Sequence, residues 1–397
     1  MFIDSDTQGP VILKSNSVLT VREDALVMSS ANLDTCFQVG KSYRDTCNNE
    51  VCRAFIGAKD KENIQIFAKK NGIINGQGVL WNDSTDFAKR PHVIRLVGCK
   101  NVHIHDLVIV DAPSCAISIF NCENVVIENV SISSKWGCNN DGIDVDSCKN
   151  VTIRNCEIDT GDDCISVKST SIAECREVTI ENCRLISEIS AFKIGTESVG
   201  HISSICFRNS HIENCKFSAI KIVPTDGGLV NGVEISNIQL VNVTGPIFIA
   251  NGERNKVYHE NEWAGQRSSI SNVKISGVCG NVVVSLSKIC TPINGCVVAS
   301  GSVNHKIKNL VIENCDLVMP GGGTKRAEFF VEEMRKQYPE FYSLGGFPAS
   351  CMYLRHVDGV TLKNNTFSLT EIDERDKFVF DDVLGIETDD KEINLGK

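Results

Sequence analysis

Seven segments of this chain carry one short pattern, and that pattern restricts the available folds more than any other feature. They are Asn101-Val-His-Ile, Asn124-Val-Val-Ile-Glu-Asn, Asn150-Val-Thr-Ile-Arg-Asn-Cys, Glu177-Val-Thr-Ile-Glu-Asn-Cys, Asn231-Gly-Val-Glu-Ile-Ser-Asn, Asn309-Leu-Val-Ile-Glu-Asn-Cys and Asp358-Gly-Val-Thr-Leu-Lys-Asn. The steps from 101 to 124, 124 to 150 and 150 to 177 are 23, 26 and 27 residues. Each copy alternates apolar and polar positions as a half-buried strand does. A strand-rich unit of this length, without amphipathic helices or the Leu/Asn consensus of leucine-rich repeats, predicts an all-β, single-stranded right-handed parallel β-helix. The expectation is one β-helix domain over residues 1–397, with loop insertions near 250–268 and 320–350. The second insertion is expected to contain a short helix from Ala327 to Tyr338.

Stacked coils place equivalent residues in columns about 4.8 Å apart. Asn155, Asn182, Asn214 and Asn314 are then expected to form an amide ladder. Cys156, Cys183, Cys215 and Cys315 are expected to form a buried column beside it. The cysteine count of 19 is odd, and most cysteines lie in strand-like repeats. An all-disulfide framework is therefore not expected. Cys47/Cys52 and Cys290/Cys296 remain as local pairs that would close loops.

The same stacking brings acids together. Asn140-Asp141-Gly142 and Gly161-Asp162-Asp163-Cys164 flank one short strand, and Asp141 and Asp163 are 22 residues apart, about one coil. Three crowded carboxylates cannot all ionise cheaply, so at least one should hold its proton above the usual range. A proton-bearing acid beside ionised carboxylates is what glycoside hydrolysis requires. Lys193 and Lys221 are 28 residues apart, again one coil, which suggests two stacked ammonium groups facing a sugar carboxylate. Lys168 and Lys193 have a second reading as ion pairs to the acids. Glu197 reads either as support for the site or as an ordinary buried carboxylate. Arg355 and His356 read as substrate contacts or as residues tying down a late loop. Trp136 reads as a stacking platform for a sugar or as packing. Asp141-x-Asp-x-Asp also offers hard oxygens to calcium, but without an EF-hand pattern. His201 and His211 carry no catalytic reading.

The chain resembles glycoside hydrolase family 28, the polygalacturonase family, from Gly9-Pro-Val-Ile-Leu-Lys through Gly72-Ile-Ile-Asn-Gly-Gln-Gly to about Asp382. Asn139-Asn-Asp-Gly142 is similar to the family's Asn-Thr-Asp-Gly, and Gly161-Asp-Asp-Cys164 matches its Gly-Asp-Asp-Cys. The resemblance implies a divergent bacterial-type member and metal-free, inverting hydrolysis without a cofactor. It implies Asp162 as general acid, with Asp141 and Asp163 holding and deprotonating the water. It also implies that Lys221 meets the substrate; Lys193, Lys168, Glu197, Arg355 and His356 are further candidates on the readings given above. Two motifs depart from the family. Its Gly-His-Gly is replaced by Ile189-Ser190-Ala191, and its Arg-Ile-Lys appears as Ala219-Ile-Lys221. Ordinary polygalacturonase action is thus in question, and a rhamnogalacturonan-type or other uronide-containing pectic bond comes into view. A calcium-dependent polysaccharide lyase and a non-catalytic glycan-binding β-helix are the alternatives.

The net charge of −10 gives no steering toward nucleic acid. No apolar run reaches the roughly 20 residues of a membrane helix. The first residues, Met1-Phe2-Ile3-Asp4-Ser5-Asp6, lack the basic and apolar regions of a leader. The expectation is a cytoplasmic chain, or a secreted or periplasmic one whose leader is not in this sequence. The family's N-terminal helical cap is not visible either, which predicts a further segment or a partner over the first coil.

Overall fold

Asparagines in the left-handed backbone region mark the corners of this molecule. Asn101, Asn124, Asn150 and Asn309 have φ between 53° and 57°, as do Asn129, Asn155, Asn182 and Asn237. Asn adopts that conformation more readily than other residues with a Cβ, so each repeat bends where its Asn falls. Between corners, the β-branched residues lie inward. Val102, Val125, Val151, Val178 and Ile205 stack coil upon coil in parallel register, all buried. Fully burying each such side chain contributes about 1.5–3 kcal/mol.

The computed structural model describes residues 1–397 except 8, 261, 263, 264, 266, 285–294, 326–330, 332, 334, 335, 345 and 394–397. Its strands pair in parallel with the next coil, with one exception. Phe37–Arg44 and Glu50–Lys59 form an antiparallel hairpin. A connected apolar core runs from Ile3 to Ile393. No α-helix occurs among the described residues. The expected helix from Ala327 to Tyr338 lies largely outside them; Val331, Glu333 and Lys336 to Tyr338, which are described, are not helical.

The ladders exist, but their membership differs from the expected one. Side-chain amides link Asn63, Asn101, Asn124 and Asn150 in sequence, with Asn150 Nδ2 at 2.8 Å from Asn124 Oδ1. In the neighbouring column Asn182 bonds Asn155. The register Arg184 to His211 then puts Asn209, not Asn214, above Asn182. Asn214 belongs to a separate column with Asn242 and Asn281. Coil lengths vary at the corners, so a similar motif does not guarantee the same column. The cysteines divide likewise. Cys156 aligns with Cys183, whose N–H meets the Ser210 hydroxyl at 3.0 Å. The longer stack is Cys99, Cys122, Cys148 and Cys175, where the Cys122 N–H donates to Cys148 Sγ at 3.3 Å. Every described cysteine is a free thiol, so Cys47 and Cys52 do not close a loop. Cys290 lies outside the described residues.

One face of the solenoid positions the polar site. Its strands include His92–Val97, Ile117–Phe120, Ile143–Asp146, Ile165–Ser169, Ser190–Ser198 and Ser218–Pro224. Ile117, Ile143, Ile165, Phe192 and Ile220 point inward in register. Their neighbours Ser118, Asp144, Ser166, Lys193 and Lys221 form one outward column.

Candidate active site

The acids sit at the corner just before that face. Gly142 N–H bonds the Asp163 carbonyl at 2.9 Å, which stacks Asp141 on Asp163. One oxygen from each of Asp141, Asp162 and Asp163 lies within 4.8 Å of the others. Glycine is required at both corners because the coils approach closely. A Cβ on Gly142 would stand 2.5 Å from the Cys164 carbonyl oxygen, and one on Gly161 would stand 2.3 Å from that of Gly137. Gly161→Ala is expected to destabilise the fold by about 1–3 kcal/mol through overpacking. Urea unfolding checks this, and a wild-type midpoint would refute it.

The three carboxylates are chemically distinct. Asp141 accepts from Lys168 Nζ at 3.3 Å, and the same ammonium bonds Asp144 at 2.9 Å. Asp163, only 1% exposed, is ion-paired with Lys193. Asp162 has no lysine partner among the described residues. Its Oδ2 accepts the Asn139 N–H at 2.9 Å, and its Oδ1 accepts the Asp163 N–H at 2.9 Å. Burial, then the charges of Asp141 and Asp163, push the Asp162 carboxyl up to about 7. A carboxyl that keeps its proton near neutrality stands beside two that are paired with ammonium groups. Burial and the nearby Asp141 also raise Asp144, against the pull of Lys168.

Two segments remote in sequence wall the site. The tip of the hairpin, residues 45–49, leans over the acids. Thr46 Oγ1 donates to Glu197, and Asn49 Nδ2 reaches Asn139 Oδ1 at 3.3 Å. The 250–268 insertion braces this tip, since Lys256 Nζ donates to the Asp45 carbonyl and Arg254 grips Asp226. On the opposite side, Leu344 and Phe347 pack with Phe248, Val298 and Tyr353 on the outer surface. That packing delivers Tyr338, Glu340 and Tyr342 to the rim. Together the walls enclose a cleft of about 280 Å³.

The structure sorts the expected contacts. Lys168, Lys193 and Glu197 line the cleft with the three aspartates. Burial opposes the charge of Glu197, but Lys168, Lys193 and Arg254 outweigh it and hold the carboxyl below the usual range. Lys193 and Lys221 stack in register as expected. Lys221, however, has no exposed surface and is ion-paired with Glu340, behind the Tyr338 ring. Arg355 and His356 are not at the acids. Their register through Ser300 and Ala250 puts Arg355 five coils beyond Lys168, roughly 24 Å away at one strand spacing per coil. There Arg355 bonds Glu333 at 2.6 Å, and His356 contacts Glu333 and Asp382, so both tie down the late loop. Trp136 donates to the Ala112 carbonyl at 2.6 Å and meets Phe87 edge-on, which is packing. Residues without a repeat signature escaped sequence reasoning: Tyr43, Asp45, Thr46, Tyr338 and Glu340. Nothing periodic in the sequence pointed to Glu340, which meets Lys221 across 119 residues.

A family model, Glycosyl hydrolases family 28, matches residues 20–329, most of the chain. A probable polygalacturonase of Arabidopsis thaliana is 32% identical over 182 residues, covering 45% of this chain and 39% of that protein. A putative rhamnogalacturonase D of Aspergillus niger is 29% identical over 174 residues, covering 43% and 37%. The chain thus spans about four-tenths of the length of these curated relatives. Among solved structures, a family 28 exopolygalacturonase of Yersinia enterocolitica superposes with a TM-score of 0.70 at 16% identity, covering 95% of this chain and 70% of that one. That likeness establishes the parallel β-helix fold.

Proposed function

Because the chain belongs to glycosyl hydrolases family 28, we propose that it hydrolyses a uronic-acid-containing pectic polysaccharide or oligosaccharide of galacturonan or rhamnogalacturonan type. The observation that carries this reading is the division of labour among three adjacent carboxyls, with Asp162 raised to about 7 and Asp141 and Asp163 ion-paired to lysines. Protonated Asp162 donates to the leaving glycosidic oxygen. Asp141 and Asp163 hold a water between them, and one takes its proton as the water oxygen bonds the anomeric carbon. Proton donation from a positioned acid lowers the barrier most when its pKa lies near the working pH. Lys168 and Lys193 supply the counter-charge that lets two carboxylates face one water.

This assignment predicts a pH profile. The acid form of Asp162 is lost as pH rises through about 7, so kcat/KM should fall on the alkaline side with a midpoint near that value. Reducing-end release from pectic oligosaccharides between pH 5 and 9 checks this. An alkaline limb that persists unshifted in Asp162→Glu, or activity rising through pH 8, would contradict it.

Inversion is the proposed stereochemical course. One oxygen of each carboxyl lies within 4.8 Å of the others, whereas inverting enzymes keep their acid and base carboxyl groups roughly 6.5–9.5 Å apart so that a water fits. The anomer released therefore decides between inversion and retention.

A further inference from the structure

The cleft is lined by far more acid than base, and its bases are occupied. Nine carboxyl side chains but only two ammonium groups, Lys168 and Lys193, line it among the described residues. Lys168 is shared between Asp141 and Asp144, and Lys193 between Asp163 and the Tyr338 hydroxyl at 2.8 Å. Lys221, the next in the column, is sealed against Glu340. Arg90 keeps Nε and Nη1 without protein partners, but it is 2% exposed, lies 3.7 Å from the Phe87 ring and sits outside the cleft lining. Lys256 is turned to the Asp45 carbonyl. Both ammonium groups that line the cleft are thus held by carboxylates, and the Arg90 guanidinium stands behind Asn139, to whose Oδ1 its Nη2 donates at 3.3 Å.

Most of the unsatisfied groups have the opposite character. Among the described residues that line the cleft, four buried polar atoms lack a protein partner: the carboxyl oxygens Asp144 Oδ1, Asp163 Oδ1 and Glu340 Oε2, and the ring nitrogen His92 Nδ1. The ion-paired carboxylates of Asp163 and Glu340 only accept hydrogen bonds, whereas Asp144, raised by burial, also donates when it holds its proton. Sugar hydroxyls donate to them, whereas a sugar carboxylate would meet them with like charge at short range, in a site screened less than bulk water.

We propose that the sugar held against Asp141, Asp162 and Asp163, the one whose anomeric carbon is attacked, is an uncharged pectic sugar, with hydroxyls donating to Asp163 and Glu340 and hydrogen-bonded to Asp144. This rests on the hydrolase reading above and selects the neutral unit of a mixed backbone over a galacturonate unit. Any uronate in the substrate then lies outside the acid subsite. In the reaction, the bond from the neutral sugar's anomeric carbon to the glycosidic oxygen breaks. The water oxygen bonds that carbon, and the neutral sugar becomes the new reducing end.

The test follows from that last step. Rhamnogalacturonan backbone oligosaccharides and polygalacturonate are each incubated with the wild-type protein and with Asp162→Asn as control. Products are reduced with borodeuteride, and the labelled alditol is identified by mass spectrometry. The proposal expects deuterium on the rhamnose-derived alditol, and polygalacturonate turnover at least about 100-fold slower. Label on a galacturonate-derived alditol at comparable rate from either polymer, absent with Asp162→Asn, overturns the neutral-sugar proposal and leaves the hydrolase reading standing. Label from neither polymer removes the pectic-backbone hydrolase reading, and this proposal with it.

Discussion

Asp162→Asn should abolish turnover and, at alkaline pH, stabilise the protein. The amide cannot donate a proton to a leaving oxygen, so the rate should fall by about 10²–10⁴-fold, with little change in KM. The stability effect follows from linkage. An Asp near 3.9 when unfolded and at about 7 when folded binds more protons in the folded state between those values. Its contribution is present in full below about 4 and is lost as pH rises through 7. The total is on the order of 4 kcal/mol at most, taking about three pKa units at 1.36 kcal/mol each. Asn mimics the neutral acid at every pH. The variant should therefore resist urea better than wild type at pH 8, with the advantage shrinking to about a third by pH 5 and disappearing only below about pH 4. Equal midpoints at both pH values would show that Asp162 is not a strained neutral acid, even if activity is lost.

Lys193→Met should be the most destabilising single change at the site. Asp163 is 1% exposed and Lys193 4% exposed, so the methionine would strand a carboxylate in the interior. Burial disfavours the charge of Lys193, but Asp163 and Tyr338 outweigh it and hold the ammonium well above its ordinary range. Breaking such a pair costs about 3–5 kcal/mol, whereas replacing both partners costs far less. Lys193→Met with Asp163→Asn should thus recover much of the lost stability while remaining inactive. A double-mutant cycle in urea, with turnover measured alongside, checks both halves. Additive destabilisation in the cycle would mean that the pair is not coupled and that Lys193 serves the site in another way.

These effects were legible in the sequence to unequal degrees, for physical reasons. Parallel stacking converts a spacing of one coil into adjacency, so Asp141 beside Asp163 and Lys193 beside Lys221 could be read from their numbers alone. The same logic failed for Asn214 and Cys215, because corners of variable length shift a repeated motif into another column. It failed again for Arg355, whose motif-like neighbourhood says nothing about how many coils separate it from the acids. Contacts across the cleft carry no periodicity. Thr46 meets Glu197 across 151 residues, and Lys221 meets Glu340 across 119. The hairpin that delivers Thr46 is antiparallel, outside the repeat altogether. Lys221 shows the consequence most clearly. Its place in the column was readable, but the carboxylate that occupies it was not, and that partner turns an apparent anion receptor into a sealed ion pair.

The most direct test of the central claim, acid and base hydrolysis by Asp162 with Asp141 and Asp163, is time-resolved proton NMR. A pectic oligosaccharide that the protein cleaves is followed from the first minute in the presence of chelator. The account predicts that the new reducing end appears first as the anomer opposite to the bond cleaved and then mutarotates, with no unsaturated sugar. First appearance of the same anomer, or an unsaturated product that chelator suppresses, would contradict it.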